Sequence, residues 1–150
     1  VCANHLSSVH GEVLHEKIKI SIQVSQKLGK AYKLCSKKKI EETYQKGTQV
    51  KAFPYFAKYI TKPSESHGFQ IVFVVPKKKF RLATTRNRIR RYIRESVRLE
   101  KSALEQTLQI NNVEMNLFLL YNGEPEMNLA DTRKAIAKLF KKIAHEIENQ

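Results

Sequence analysis

A cluster of arginines constrains this chain more than any other feature of its sequence. Six arginines fall between residues 86 and 98: Arg86, Arg88, Arg90, Arg91, Arg94 and Arg98. On a helical wheel of about 100° per residue, Ile89, Ile93 and Val97 lie within about 80° of one another. The polar residues that lie together on the other side, at about 100–200°, are Asn87, Arg90, Arg91, Arg94 and Arg98. The segment is therefore predicted to be a two-faced helix, with one side packed on a sheet and the other covered by guanidinium groups.

The polar side of this helix has the chemistry of a phosphate-binding surface. A guanidinium group donates paired hydrogen bonds to phosphate oxygens and can stack on bases. Arg86 and Arg88 flank the stripe in the first turn, where backbone N–H groups are also free to bind phosphate. A face that served only solubility would have glutamates among the arginines. The alternative interpretation is a solvated helix face.

The overall charge supports a polyanionic partner. Lys and Arg number 28 against 14 Asp and Glu, which gives a net charge of +14. Such a balance is typical of proteins that bind nucleic acid or an anionic membrane. Nucleic acid is favoured, because the charges are clustered and because no apolar run is long enough to span a bilayer. The two cysteines, Cys2 and Cys35, form no disulfide framework, and a reducing cytoplasmic setting is expected.

The first half of the chain alternates between turn signals and apolar runs. Ser36 is expected to cap a short helix that Gly47 ends. Residues 50–60 are rich in β-forming residues, and Pro54 is expected to mark a bulge or a sheet edge. Residues 69–75 are predicted to be a strand, and their continuous hydrophobicity favours a central position in the sheet.

The second half contains the remaining helices and one strand. The arginine helix is expected to be capped by Thr84 or Thr85 and to extend to about residue 106. A strand is predicted at 117–121, followed by a helix with Asn128 as its N-cap. The order helix, strands, helix, strand, helix predicts an α+β fold, a two-layer sandwich of helices on one sheet.

The sequence predicts that the N-terminal part of the chain lies outside this domain. Residues 1–32 are expected to form an extension, and residues 33–150 a single domain. Alternating apolar residues at 18–24 favour an added edge strand, but an unstructured leader is equally consistent with the pattern.

Residues 86–95 resemble the RNR signature of the bacterial ribonuclease P protein subunit. The strand at 69–75 and the lysines at 77–79 resemble the segment that precedes this signature, and the resemblance covers about residues 33–145. It implies a small ribosomal-protein-like sandwich with a left-handed β-α-β crossover, an exception to the usual handedness. It also implies a role in removing the 5′ leader from precursor tRNA, with catalysis by an RNA subunit that requires Mg²⁺. The acids of this chain are scattered without metal-ligand spacing, so no catalytic residue and no metal site is predicted in it.

The resemblance assigns two RNA-binding surfaces. The residues expected to face the RNA subunit are Arg86, Asn87, Arg88, Arg90, Arg91, Arg94, Lys77, Lys78 and Lys79. A cleft between the first helix and the sheet is expected to hold the single-stranded leader of precursor tRNA, with candidates Ile40, Tyr44, Tyr55, Lys58 and Phe69. An aromatic side chain such as Tyr44 can stack on an unpaired base. The alternative interpretation places Ile40, Tyr44 and Phe69 in the core.

Three other functions are compatible with parts of the pattern. A general RNA-binding or ribosomal protein with a similar sandwich would share the basic helix. A protein-only nuclease would require clustered carboxylates, and a DNA-binding factor would be expected to show dimerisation heptads or a helix-turn-helix. The sequence predicts no oligomeric state.

Overall fold

The computed structural model describes residues 28–66 and 68–150. After a short 3₁₀ helix (Lys30–Tyr32), they form three α-helices and four strands: α1 (Lys37–Lys46), β1 (Thr48–Ala52), β2 (Tyr55–Pro63), β3 (Gly68–Val74), α2 (Ala83–Ile110), β4 (Val113–Tyr121) and α3 (Leu129–Glu148). The order of elements and the α+β class agree with the prediction. The strand predicted at 18–24 lies outside the described residues.

The four strands form one sheet in the order β1-β2-β4-β3. β2 pairs antiparallel with β1 and β4, while β3 pairs parallel with β4 through the crossover helix α2. The predicted central position of β3 is therefore wrong, because β3 is an edge strand. Its continuous hydrophobicity arises because both of its faces are covered in part: Phe69 and Ile71 lie in the core, and Val72 and Val74 are half-buried on the opposite face. Residues 33–34 follow the outer edge of β3, where the Leu34 N–H donates to the Ile71 carbonyl at 3.1 Å. Covering an edge in this way protects its backbone groups from foreign strands.

The main core lies between one face of the sheet and the two long helices. Alternate residues of every strand point into it, including Val50, Ala57, Ile71 and Leu117, which are all buried. The α2 and α3 helices pack on this side, whereas α1 lies against the opposite face, where Tyr44 contacts Phe118. The opposite face is thus only partly covered, and we call it the open face.

The helix ends follow the prediction in part. The Asn128 side chain caps α3 by accepting from the Asp131 N–H at 2.8 Å, as predicted. The predicted cap of α2 is wrong, since Thr84 and Thr85 lie within its first turn and Leu82 occupies the N-cap position without a side-chain hydrogen bond. The structure also extends α2 four residues beyond the predicted end at residue 106.

Pro54 lies in neither a bulge nor a sheet edge. It follows a cis peptide bond in the two-residue connection between β1 and β2, so residues 50–60 form a hairpin rather than one interrupted strand. The Pro54 carbonyl accepts from the Asn122 N–H at 2.9 Å, which joins this hairpin tip to the loop after β4.

Packing begins before the predicted domain boundary at residue 33. Leu28 and Tyr32 contact the core, and the Tyr32 ring meets Phe69 edge to face with centroids 5.5 Å apart. The Tyr32 hydroxyl donates to Glu105 at 2.5 Å and accepts from the Lys101 ammonium at 2.8 Å. This cluster attaches the residues before α1 to the second half of α2.

Candidate nucleic-acid interface

The α2 helix has the two faces that its sequence predicts. Ile89, Ile93 and Val97 are buried against the sheet and α3. The exposed side chains on its opposite side are Asn87, Arg90, Arg91 and Arg94. Among the described residues, none of these three arginines forms an ion pair. We call these four residues the arginine stripe; its guanidinium groups are available to an anion.

Arg98 does not belong to this stripe, although the wheel places it there. Its guanidinium donates two hydrogen bonds to the Glu95 carboxylate, at 3.0 and 2.5 Å, and its side chain is partly buried. The hydrogen bond from Arg98 lowers the pKa of Glu95, and that to Glu95 raises the pKa of Arg98. The charge of Arg98 is therefore balanced within the helix, and the free positive charge ends at Arg94.

The two arginines of the Arg86-Asn87-Arg88 triplet contact the protein itself. The Arg86 guanidinium donates to the Phe80 and Arg81 carbonyls, at 2.7 and 2.8 Å, and so fixes the loop that leads into α2. Arg88 is exposed and donates to the Pro125 carbonyl at 2.9 Å. A guanidinium group has five donors, so Arg88 keeps others for an external acceptor.

The lysines before α2 also include both exposed residues and one that binds the protein itself. Lys77 and Lys78 are exposed in a turn. Lys79 donates to both the backbone and the side-chain oxygen of Asn122, at 2.9 and 3.1 Å. Lys79, Arg86 and Arg88 thus hold together the loops beside the start of α2. Sequence reasoning missed Asn122 and Pro125, since no local signal marks an acceptor that lies so far along the chain.

The open face of the sheet forms the floor of the predicted cleft. The register places Phe56, Leu120 and Val74 in one row across β2, β4 and β3. The next row contains Lys58, Phe118 and Val72 in the same order. Sequence reasoning missed the aromatic residues of these rows, although alternate positions of β2 and β4 already group Phe56 with Lys58 and Phe118 with Leu120.

Tyr44 projects from α1 beside this floor. Its side chain is 51% exposed, and its ring meets Phe118 edge to face at 5.3 Å between centroids. The Lys58 ammonium lies 4.6 Å from the centre of the Tyr44 ring and donates to the Tyr44 carbonyl at 2.6 Å. Lys58 therefore carries a positive charge into the cleft while it binds the last turn of α1. Ile40 lies one turn earlier and is half-buried.

Two of the predicted leader contacts lie elsewhere. Tyr55 is 3% exposed and packs on Tyr121, and Phe69 is 4% exposed and packs on Tyr32 and Phe140. Both side chains point to the core face. Because alternate residues of a strand face opposite sides, neither can line the open face, and the core interpretation holds for Phe69.

The described residues, 28–66 and 68–150, offer neither a metal site nor a membrane span. No group of three or more His, Cys, Asp or Glu side chains in these ranges is placed to hold a metal ion. No helix in the same ranges is long and apolar enough to cross a membrane.

Comparison with known proteins identifies the family. The family model described as Ribonuclease P matches residues 28–144. The ribonuclease P protein component of Porphyromonas gingivalis is 25% identical over 118 residues, which cover 78% of this chain and 86% of the relative.

Solved structures show the same fold. The Staphylococcus aureus RNase P protein superposes with a TM-score of 0.62 at 21% identity, covering 76% of this chain and 96% of the other. The Thermotoga maritima RNase P protein superposes with a TM-score of 0.59 at 15% identity, covering 73% and 96%. These identities are low, so the structures establish the architecture, and the family model establishes the relationship. The chain belongs to the ribonuclease P protein family, whose role is in tRNA processing.

Proposed function

We propose that this chain is the protein subunit of a ribonuclease P holoenzyme, which removes the 5′ leader from precursor tRNA. In this proposal the arginine stripe, with Lys77, Lys78 and Arg88, binds the catalytic RNA subunit. The open face beside Tyr44 binds the single-stranded leader. The complex works in the cytoplasm, where a thiol such as that of Cys35 stays reduced.

The arginine stripe is the observation that carries the proposal. Arg90, Arg91 and Arg94 are exposed on a rigid helix, and no ion pair among the described residues balances them. Such a surface repels itself in the free protein and gains free energy when phosphates release their counterions on binding. By contrast, Arg86 and Lys79 hold the adjoining loops, so they would contribute chiefly by keeping this surface in shape.

The leader site is supported by the combination of an exposed ring, an apolar floor and a positive charge. The Tyr44 ring is exposed and packs on the largely buried Phe118, so it can stack on an unpaired base, and Lys58 offers a cation to the backbone. This combination suits a single-stranded nucleic acid, because a base of any type can stack on an aromatic ring. Ile40 adds apolar area at the same wall.

The proposal leaves the chemistry with the RNA subunit and its Mg²⁺. The described part of the chain offers no carboxylate cluster that suits a magnesium ion held by the protein. The residues of this chain would instead bind and position the RNA subunit and the precursor tRNA.

The decisive experiment measures cleavage of precursor tRNA by the matching RNA subunit at low Mg²⁺, with and without this protein. We expect strong stimulation by the protein. The Tyr44→Ala variant should weaken binding of leader-containing substrate by about 1–3 kcal/mol, the value of one stacked base, while Tyr44→Phe keeps most of the affinity. Mature tRNA, which lacks the leader, should be bound equally by all three proteins.

Two results would overturn the proposal. One is a protein that neither binds the RNA subunit nor changes cleavage. The other is equal affinity for ribosomal RNA and for the RNA subunit, which would favour a general RNA-binding protein.

A further inference from the structure

The outer face of α3 carries a second basic surface that the proposed function does not use. Its four lysines are all exposed: Lys134, Lys138, Lys141 and Lys142. With Ile136 at zero on a helical wheel, they lie between about 140° and 240°, opposite the buried residues of the helix. We call this surface the lysine face.

The four lysines of this face are not balanced by ion pairs among the described residues. None of its four side chains forms an ion pair within the part of the chain that the structure describes. Asp131 is the acid on the same side of α3, at about 220° on this wheel, but it lies in the first turn, where it complements the helix dipole. Glu148 lies at the far end, and Glu146 accepts a hydrogen bond from the Tyr59 hydroxyl at 2.8 Å. The lysines between these ends are left facing solvent together.

The lysine face is continuous with the open face of the sheet. β1 is an edge strand, and its Lys51 is paired with Phe56, so the Lys51 side chain points to the open face. The Lys142 ammonium donates to the Lys51 carbonyl at 2.9 Å, directly across this edge. A chain lying on Phe56 and Lys58 can therefore pass over β1 and reach α3 without leaving positively charged surface.

An exposed aromatic residue stands beside the lysine face. Phe53, in the β1–β2 connection, is 84% exposed. It lines a groove of about 560 Å³ together with Lys134 and Lys138. Three acids line the same groove: Glu124, Glu126 and Asp131. Their charge disfavours phosphate inside the groove, while the exposed Phe53 ring offers a surface on which a base can stack.

We propose that the part of the leader farther from the cleavage site leaves the cleft over the edge of β1 and binds the lysine face and Phe53. This inference rests on the proposed function, because it extends the leader path that begins at Tyr44. Lysines without forked, planar geometry suit a flexible backbone that is bound without regard to sequence. The RNA subunit is a less suitable occupant, since the lysine face adjoins the leader cleft through Lys51.

The test compares two precursor tRNAs, one with a leader of about four nucleotides and one with about sixteen, the span of single-strand sites. The wild-type holoenzyme should bind the long-leader substrate more tightly. In the variant Lys138→Ala/Lys141→Ala, the salt slope for the long leader should become shallower by about 1.4, at roughly 0.7 for each single-strand phosphate contact. Binding of the short leader should not change. Lys142 is left intact because it also binds the β1 backbone.

Two sets of matched variants distinguish binding at the lysine face and Phe53 from a general loss of positive charge. Phe53→Ala should weaken binding of the long-leader substrate alone. Phe53→Leu, which keeps apolar area but has no ring, should have the same effect. The Lys77→Ala/Lys78→Ala variant removes the same charge elsewhere and should weaken binding of the RNA subunit, with equal effect on both substrates.

The outcomes also separate the extended leader path from the proposed function. Suppose that Tyr44→Ala weakens binding of both substrates, while the lysine-face variant weakens binding of neither substrate or of both equally. The extended path is then wrong, and the leader site at Tyr44 still stands. If the lysine-face variant lowers affinity for the RNA subunit without tRNA, the surface faces that RNA and the inference is overturned. If Tyr44→Ala has no effect on either substrate, the proposed leader site itself fails.

Discussion

The double variant Arg90→Ala/Arg94→Ala tests whether the arginine stripe binds the RNA subunit. Both side chains are exposed on the side of α2 away from the sheet, and neither forms an ion pair among the described residues. The substitution should therefore change the free energy of unfolding by no more than about 0.5 kcal/mol per site, as is usual for exposed positions. Any larger change in RNA binding then reflects lost contacts rather than lost folding.

The expected magnitude follows from counterion release. Each phosphate contact to a duplex contributes about 0.9 to the slope of log affinity against log salt, so two lost contacts make the slope shallower by about 1.8. Between about 50 and 200 mM salt, a slope change of this size means that the loss of affinity is about 12-fold greater at the lower concentration. Binding of the RNA subunit by filter retention or fluorescence anisotropy across this salt range measures both quantities.

Arg98→Ala is the matched control on the same helix. Its guanidinium is already balanced by the Glu95 carboxylate, so its removal should change the salt slope by less than one lost contact would. An unchanged slope in the Arg90/Arg94 variant, or an equal change in Arg98→Ala, would refute the assignment of the stripe.

Three further predictions concern the groups that support this surface. Arg86→Ala leaves two loop carbonyls without their partly buried guanidinium donor, so urea denaturation should show a loss of about 1–3 kcal/mol; a loss below about 0.5 kcal/mol would contradict the contact. Asn128→Ala removes the α3 cap and should cost about 1 kcal/mol, whereas Asn128→Ser should keep most of it. Burial raises the pKa of Tyr121 from 10.0 to about 12, with a smaller contribution from Glu124. The folded state therefore holds this proton more tightly, and the stability gained below about pH 10 is lost between about pH 10 and 12. Tyr121→Phe should make unfolding free energy less dependent on pH in that window, and an unchanged dependence would exclude Tyr121 as a contributor.

The candidate site was predictable where local geometry defines it. The arginine stripe follows from the period of a helix, and exposure of Arg90, Arg91 and Arg94 agrees with the wheel. The Asn128 cap is also local, because its partner lies three residues away. Arg88 and Lys79 differ: their acceptors lie 37 and 43 residues along the chain, where periodicity carries no information.

The cleft shows where strand periodicity alone is insufficient. Alternation groups the residues of a strand into two sets, but it does not say which set faces the core when both contain aromatic residues. Tyr55 belongs to the core set of β2, whereas Phe56 and Lys58 belong to the open-face set. Burial against α2 and α3 decides between the sets, and a shift of one residue in register would exchange them.

The family signature, the order of the elements and the two faces of α2 follow from the sequence alone, because each depends on residues close together in the chain. The strand order, the edge position of β3 and the internal partners of the basic residues depend instead on tertiary packing. Lys101 illustrates the difference. It lies about 120° from Ile89 on the wheel, on the side of the arginines, yet it is 2% exposed because Tyr32 covers it. A lysine's position on a helix follows from its number, but its burial depends on which distant segment packs over it.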